Sequence, residues 1–333
     1  MTAATLDVIG FGNAIVDVLA RAEDDFLIAH GMRKGGMTLI DEERAETVYA
    51  AMGPGIEISG GSAANTMAGI AELGGRAGFV GKVKDDALGA IFAHDIEAAG
   101  VAYRTPAAQA GAATARCLIL VTPDGERTMN TYLGAAQDLT PDDVVAATVA
   151  SATVTYLEGY LWDPPPAKQA FLKAAAIAHD AGRHVALTLS DAFCVDRYRA
   201  EFLKLMREGT VDLVFANEGE LKALYETADF DTALAQLSAD VRRAVVTRSE
   251  QGALWVSGNE RVAVPAHPVE EVVDTTGAGD LFAAGFLHGF ARGFAPEESL
   301  RLGALCAAEV IGHMGARAER RLKELAQENG LRV

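Results

Sequence analysis

DTTGAGD, at positions 274–280, carries the strongest structural signal in the chain. The run before it, Val269 to Val273, contains three valines and predicts a strand. After it, Phe282, Phe286 and Phe290 recur at every fourth residue, the spacing of one apolar helical face. The sequence therefore predicts a strand, a Gly-Ala-Gly turn and a helix that begins at the turn.

Gly277, Ala278 and Gly279 have little or no side chain, so a large anionic group can approach the backbone there. The first N–H groups of a helix have no partner within it and lie at the positive end of the helix dipole. Asp280 would repel a bound phosphate. Its presence suggests a base that accepts a proton from a hydroxyl group during phosphoryl transfer. The alternative is a simple helix cap.

This segment resembles the signature near the C-terminus of the ribokinase/PfkB family of carbohydrate and nucleoside kinases. The resemblance implies that Gly277, Ala278 and Gly279 form an anion hole and that Asp280 deprotonates the acceptor hydroxyl. In many family members the first acid of the motif, here Asp274, helps to hold a monovalent cation. The resemblance therefore makes K⁺ a candidate activator.

The chain of 333 residues carries 29 basic and 46 acidic residues, a net charge of −17, and has no run of five Lys or Arg. A broad surface that binds nucleic acid or an anionic membrane is therefore not expected. An anionic substrate must instead be bound by helix N-termini, a metal ion and a few local cations. Half of the residues are hydrophobic, enough for one large α/β core.

Three cysteines, Cys117, Cys194 and Cys306, are far apart and lack CxxC spacing, which predicts free thiols in a reducing cytoplasm. The N-terminus shows no basic and then apolar leader. The uncharged stretch Val144 to Leu157 is too short for a membrane span, which takes about 20 residues. We therefore expect a cytoplasmic monomer or homodimer whose partners are small molecules.

Predicted strands and helices alternate along most of the chain, which favours a doubly wound, mostly parallel sheet flanked by helices. We expect one ribokinase-like domain over residues 1–333. The predicted strands are Leu6 to Phe11, Ala77 to Val83, Val154 to Leu157, His184 to Leu189, Val211 to Ala216 and Ala244 to Thr247. The predicted helices are Ser62 to Leu73, Ala167 to Ala181, Tyr198 to Met206, Glu218 to Tyr225 and Ala318 to Val333.

Two segments interrupt this alternation. Residues from about 14 to 58 contain short β-like pieces at Ile15 to Ala20 and Gly36 to Ile40. Residues 112–133 have the pattern of a hairpin around the turn TPDG at 122–125. We assign both segments to a small β-sheet lid over the C-terminal ends of the strands, where α/β proteins bind their ligands.

GGSAAN, at positions 60–65, is a second glycine-rich entry to a helix. A tight turn capped by Ser62 would explain it without any ligand. Asn65 adds a donor and an acceptor near the helix start, which suits vicinal hydroxyl groups. In the ribokinase family this is the N-terminal signature. The resemblance implies that Gly61, Ser62 and Asn65 contact the acceptor substrate.

GFGNAIVD, at positions 10–17, has Ile15 where a dinucleotide-binding fingerprint needs a third Gly or Ala, so an NAD-type site is not supported. Its Gly-Asn-x-x-x-Asp pattern resembles the adenosine-kinase branch of the family. By that resemblance Asn13 and Asp17 bind ribose hydroxyls, and a carboxylate can accept two vicinal O–H groups at once. A polar turn that closes a strand is the alternative.

Two motifs match the family's nucleotide side. The resemblance implies that Asn217 and Glu220, in an Asn-x-x-Glu pattern, arrange Mg²⁺ and the nucleotide phosphates largely through water. A capped, acidic first helical turn is the alternative. Thr247 and Gly252 match a Thr-x-Gly-x-x-Gly nucleotide loop, in which Ser249 replaces the first Gly of the family pattern.

Three more residues are assigned by resemblance. Gly315 matches the position where family members close the cation and adenine side of the site. Arg127 follows the hairpin turn, and lid arginines of adenosine kinases swing onto the transferring phosphoryl group; a solvated arginine is the alternative. Phe193 resembles an adenine-contacting phenylalanine, although an aromatic residue near an α/β core usually serves packing.

The motifs occur in the family's order from Gly12 to Gly315 and predict a kinase that uses ATP and Mg²⁺. The favoured acceptor is the 5′-hydroxyl of adenosine, which gives AMP and ADP. A sugar kinase of the ribokinase or fructokinase type is the alternative. A non-catalytic sensor would have no need of Asp280. The chain contains no GxxxxGK[ST], HExxH, CxxC or GxSxG motif, so other enzyme classes lack support.

Overall fold

The computed structural model describes residues 4–333 and contains two β-sheets surrounded by helices. The strands are β1 (Leu6–Phe11), β2 (Ile15–Arg21), β3 (Met37–Leu39), β4 (Gly55–Gly60), β5 (Ala77–Val80), β6 (Ala102–Tyr103), β7 (Ala115–Val121), β8 (Arg127–Tyr132), β9 (Ala152–Glu158), β10 (His184–Thr188), β11 (Leu213–Asn217), β12 (Arg243–Thr247), β13 (Ala253–Ser257) and β14 (Glu260–Val264). The helices are α1 (Asp24–Ala29), α2 (Glu42–Ala51), α3 (Ser62–Glu72), α4 (Ala87–Ala98), α5 (Ala146–Ala150), α6 (Pro165–Asp180), α7 (Ala192–Arg207), α8 (Glu218–Leu224), α9 (Phe230–Asp240), α10 (Ala278–Ala291), α11 (Pro296–Ile311) and α12 (Leu322–Glu328).

The larger sheet has nine strands in the order β14-β13-β12-β11-β10-β9-β1-β5-β6. From β12 to β6 all neighbours are parallel, whereas β13 and β14 add antiparallel at one edge. The chain leaves β1 first toward β5 and later returns to its other side as β9. This reversal of strand order creates the crevice in which open α/β sheets bind ligands. The predicted doubly wound α/β sheet flanked by helices is confirmed.

Both faces of this sheet are buried. Neighbouring residues of a strand point to opposite faces, so Val8 belongs to the core cluster that includes α3 and α10, whereas Ile9 belongs to the cluster that includes α6 and α7. The predicted aromatic face of α10 lies on the sheet, where Phe286 contacts Trp255 and Phe215 at ring distances of 5.6 Å. This packing fixes the N-terminus of α10 above the crevice.

A second sheet has five strands in the order β3-β8-β7-β2-β4. These strands come from the two segments that interrupt the predicted alternation. We call this five-stranded sheet the lid sheet. Helices α1 and α2 cover one of its faces, with Leu27 and Val48 packed on it. Closure of this sheet over a substrate stays a prediction.

The strand predicted at Val269 to Val273 is wrong. This segment joins no strand and bends at Glu270, and Val272 is 58% exposed. The backbone N–H groups of Val273 and Asp274 donate to the carbonyl oxygen of Ile311 at 2.8 and 3.3 Å. The segment is therefore held by the C-terminal end of α11 rather than by a neighbouring strand.

Two helix predictions had wrong bounds. Helix α7 begins at Ala192 rather than near Tyr198, because Asp191 caps it by accepting the N–H of Cys194 at 2.6 Å. Tyr198 itself lies in a kink of this helix (φ −121°, ψ 15°). The C-terminal helix covers only Leu322–Glu328.

The three cysteines are free and buried, as predicted. None of the helices in residues 4–333 combines the length and the apolar character that crossing a membrane requires.

His288 of α10 is fully buried, and neither of its ring nitrogens has a hydrogen-bond partner within the described part of the chain. Burial, aided by the charge of Arg292, lowers the pKa of His288 from 6.5 to about 4.

We expect His288→Leu to reduce the acid sensitivity of the fold. The unfolded chain binds a proton at His288 near pH 6.5, but the folded chain binds it only near pH 4, so stability falls as the pH falls through this window. The loss is about 3 kcal/mol at the acid end. Denaturant titrations across the window should show a smaller fall for the variant. The exposed His94→Leu should match wild type, and parallel curves for all three proteins would contradict the prediction.

Candidate active site

Helix α10 begins at the predicted anion hole. Its N-cap, Gly277, adopts a left-handed conformation (φ 78°), and a Cβ there would lie 2.7 Å from the Cα of Ala316. A Cβ at Gly279 would meet no atom within 4 Å, so the backbone of this first turn faces open space. Because the first N–H groups of a helix lack partners within it, this turn offers donors to an anion that enters the space.

Asp280 lies in the same turn and is held by the first turn of α3. The hydroxyl of Ser62 donates to Asp280 Oδ1 at 2.6 Å, and Asn65 Nδ2 donates to Oδ2 at 3.1 Å. Burial raises the pKa of Asp280 to about 6, against the opposing effects of these two hydrogen bonds and of Arg317. A carboxylate with this pKa is ionised at neutral pH and can still accept a proton efficiently.

Asn65 has a second group available to a ligand. Its side chain is only 5% exposed, and its Oδ1 has no hydrogen-bond partner within residues 4–333. A buried acceptor of this kind is costly unless a donor reaches it. A hydroxyl group of a bound substrate is a suitable donor.

Asn13 is hydrogen-bonded to the buried Glu158. Its amide nitrogen donates to Glu158 Oε1 at 2.7 Å, and Glu158 Oε2 accepts the N–H of Ala63 at 2.8 Å. Glu158 is 1% exposed, and burial raises its pKa to about 7. A Cβ at Gly12 would overlap this carboxylate. Asn13 thus supports Glu158, which joins the ends of β1 and β9 to the start of α3.

Asp17 stands on β2 and faces the same region as Asp280. Burial raises the pKa of Asp17 to about 6, whereas the charges of Arg317 and Arg127 oppose the rise. A Cβ at residue 60 would overlap its carboxylate, which explains the glycine there. The charge of Asp280 adds to this rise, so the carboxyl group of Asp17 on the lid sheet lies near that of Asp280 on α10.

Asp274, Arg127 and Gly315 form one cluster. The Arg127 guanidinium forms an ion pair with Asp274, and each side chain is only 8% exposed. The same carboxylate accepts the hydroxyl of Thr276 at 2.7 Å and the N–H of Gly315 at 3.0 Å. These donors lower the pKa of Asp274 despite its burial. With its oxygens so occupied, Asp274 does not fit a monovalent cation in this conformation.

The nucleotide-side residues follow neighbouring strands, and Asn217 is paired with Thr247 in the parallel register of β11 and β12. Asn217 and Glu220 form a reciprocal capping box: the backbone N–H of Asn217 donates to Glu220 Oε2 at 3.0 Å, and the N–H of Glu220 donates to Asn217 Oδ1 at 2.8 Å. Asn217 Nδ2 also donates to Glu220 Oε1 at 2.5 Å. Burial raises the pKa of Glu220 to about 7. The capped-turn alternative thus describes their contacts, and Glu220 is not free to coordinate a metal directly.

The loop predicted to bind the nucleotide has Ser249 where the family pattern has glycine. Ser249 adopts a left-handed conformation (φ 48°), which favours glycine. Gly252 has φ 87°, and a Cβ there would overlap the carbonyl oxygen of Val264. Phe193 lies at the start of α7, where it is 65% exposed and Arg197 lies over its ring.

A family model described as pfkB family carbohydrate kinase matches residues 44–321. The chain belongs to the PfkB family. The solved structure of adenosine kinase from Sinorhizobium meliloti is 57% identical, with a TM-score of 0.90, and covers 98% of this chain and 100% of that one. The structure of a probable sugar kinase protein from Rhizobium etli CFN 42 is 55% identical, with a TM-score of 0.91, and covers 98% and 99%. Fructokinase-1 from Oryza sativa subsp. japonica is 30% identical over 239 residues, 70% of this chain and 74% of that protein.

These relationships give the class of enzyme. This PfkB protein is a phosphotransferase that acts on a hydroxyl group. Sequence reasoning missed two residues near Asp280, namely Glu158 and Arg317. Glu158 follows an apolar strand in the sequence, and this position at a strand end was the available signal.

We expect Ser249→Gly to raise the free energy of unfolding by about 0.5 kcal/mol. Relief of the left-handed strain, about 1–2 kcal/mol, exceeds the entropy that glycine adds to the unfolded chain. Glu250→Gly is a matched control in the same exposed turn, where the residue does not have a positive φ. It should lower stability by a similar amount. Denaturant midpoints that fall for both variants would argue against strain at Ser249.

Proposed function

We propose that this protein transfers the γ-phosphoryl group of ATP to the 5′-hydroxyl of adenosine, giving AMP and ADP, with Asp280 as the general base. One observation carries the proposal. Asp280 is fixed by Ser62 and Asn65 in the first turn of α10, beside backbone that faces open space. A proton acceptor thus lies next to the donors that a transferring phosphoryl group needs.

The reaction follows from this arrangement. The acceptor hydroxyl gives its proton to a carboxylate oxygen of Asp280 while its oxygen forms a bond to the γ-phosphorus. The bond from that phosphorus to the β–γ bridging oxygen breaks, and its electron pair leaves with ADP. The N–H groups at the start of α10 bind the equatorial oxygens of the transferring group.

Mg²⁺, the metal implied by the family, would neutralise the phosphate charge when bound. No cluster of three or more His, Cys, Asp or Glu that could hold a metal occurs in residues 4–333. This fits an ion that keeps most of its waters and arrives with the nucleotide. Asn217 and Glu220 would contact it through water, since Asn217 already holds the Glu220 carboxylate.

The acceptor would be held by hydroxyl-binding groups. We assign Asp17 to the two vicinal hydroxyls of ribose and the free Asn65 Oδ1 to a further donor. Ser62 would then position both Asp280 and the acceptor. Asn13 is assigned to the ribose by its resemblance to the family, and its side-chain amide also holds Glu158.

The lid sheet favours a nucleoside over a free sugar. Residues paired across neighbouring strands lie on one face, so Asp17 shares its face with Leu19, which pairs with Ile56. The register extends this face across β7 and β8 to Met37. Met37 and Ile56 are 53% and 68% exposed. Exposed apolar side chains on the same face as Asp17, the proposed ribose ligand, suit the flat base of adenosine.

A sugar kinase remains the second candidate. The relative from Rhizobium etli is named a probable sugar kinase at 55% identity, and fructokinases match at 30%. A coupled assay of ADP release with adenosine, inosine, guanosine, ribose and fructose separates the two. We expect the highest kcat/KM with adenosine. A higher value with ribose or fructose would replace adenosine by the sugar.

We expect Asp280→Asn to remove turnover while leaving substrate affinity nearly unchanged. The amide keeps the shape but cannot take the proton, and loss of a general base typically costs on the order of 10²–10⁴-fold. Asp229→Asn, at the exposed N-cap of α9, is the matched control and should behave as wild type. A folded Asp280→Asn enzyme with more than about a tenth of wild-type kcat would exclude Asp280 as the base.

We also expect the lid sheet to close on the acceptor. Arg127 of β8 already reaches Asp274, just before the proposed anion hole, and Met37 and Ile56 are exposed on the face that carries Asp17. Hydrogen exchange in residues 112–133 should slow when adenosine is added, and less with ATP alone, whereas α9 should not respond. Adenosine binding with unchanged exchange would contradict closure. Protection by ribose but not by adenosine would favour the sugar kinase.

A further inference from the structure

Arg317 lies two residues after Gly315 and makes a specific contact with the lid sheet. Its Nη2 donates to the carbonyl oxygen of Ser59 at 2.8 Å and to the Ser59 hydroxyl oxygen at 3.0 Å. Ser59 is fully buried near the end of β4. The next residues are Gly60, which touches Asp17, and Gly61, which caps α3.

Ser59 is in turn hydrogen-bonded to Asp95 of α4. Its hydroxyl donates to Asp95 Oδ2 at 2.6 Å, and its N–H donates to the same oxygen at 2.8 Å. Asp95 belongs to α4, which packs beside the large sheet. Through Ser59, Asp95 and Arg317 therefore tie two other parts of the chain, α4 and the segment after α11, to the short junction between β4 and α3.

The charges around Arg317 are mostly negative. Asp17 of β2, Glu72 of α3, Asp95 of α4 and Asp280 of α10 all face it. Glu158 adds a further acid near Asp280. On the side of Asp17 the other cation is Arg127, which is paired with Asp274. For Asp280, Arg317 is the cation whose charge favours the carboxylate form.

We propose that Arg317 is a positioning residue of the phosphotransfer reaction: it fixes the β4–α3 junction through Ser59 and provides the positive charge that lets Asp17 and Asp280 remain carboxylates side by side. The inference rests on the proposed role of Asp280. Two neighbouring carboxylates repel each other, and removal of the shared cation favours protonation of one of them. An arginine is suited to this task because it stays charged even when buried.

The first test compares Arg317→Gln, Arg317→Lys and Ser59→Ala with wild type. Arg321→Gln, at an exposed position nearby, is the matched control. In wild type the kcat/KM profile should fall on the acid side with an apparent pKa near 6. Arg317→Gln should move this pKa upward by about one unit, while Arg317→Lys should leave it near the wild-type value. Ser59→Ala, which keeps the guanidinium charge, should weaken acceptor binding without moving the pKa.

A second measurement keeps the inference separate from the role of Asp280. Carbon-13 titration of labelled aspartates, assigned with Asp17→Asn and Asp280→Asn, reports the two carboxyl pKa values without turnover. A rise of either value in folded Arg317→Gln supports the inference, even if Asp280→Asn proves active and Asp280 is not the base. If Asp280→Asn is inactive but Arg317→Gln moves neither the profile nor the carbon-13 titrations, the inference is wrong and the proposed function stands. The inference would also be overturned if Arg317→Lys raised the apparent pKa of the kcat/KM profile as much as Arg317→Gln does.

Discussion

The close packing of α3 against α10 is the constraint on which the site depends. A Cβ at Gly69 of α3 would lie 2.8 Å from Ala284 Cβ and Leu281 Cδ1 of α10, so glycine lets these helices approach closely. Their N-termini then meet above the crevice between β1 and β9. This meeting brings Ser62 and Asn65 within hydrogen-bond distance of Asp280 across 218 and 215 residues of chain. Two positive helix ends converge where a negative group would be transferred.

Charge is the second constraint. The chain carries a net charge of −17, and three acids, Asp17, Asp274 and Asp280, already surround the proposed site. A nucleotide would add several negative charges to this region. Buried charges need partners, and here they are provided by Arg127, by Arg317 and by uncharged donors at helix starts. An acidic protein can therefore receive an anionic substrate without a basic surface.

The sequence predicted the alternating core well, because apolar runs and glycine turns are local signals. The predicted strand at Val269 to Val273 is absent, and there the N–H groups of Val273 and Asp274 bond to Ile311 at the end of α11. Local patterns specify that a segment is extended but not what it pairs with. The sequence did not indicate a role for Glu158 or Arg317, for a related reason. Their partners, Asn13 and Ser59, are 145 and 258 residues away, and one sequence does not show such contacts.

The ion pair between Arg127 and Asp274 connects the lid sheet to the segment just before α10. Separating a buried pair is costly when either charge is left alone. Asp274 would keep the hydroxyl of Thr276 and the N–H of Gly315 after Arg127 departs. Arg127 would need a new anion, and on the proposed function the transferring phosphoryl group is the one at hand. Movement of this arginine toward the phosphoryl group is then favourable when nucleotide is bound. It would follow closure of the lid sheet on the acceptor and complete a site from which water is excluded.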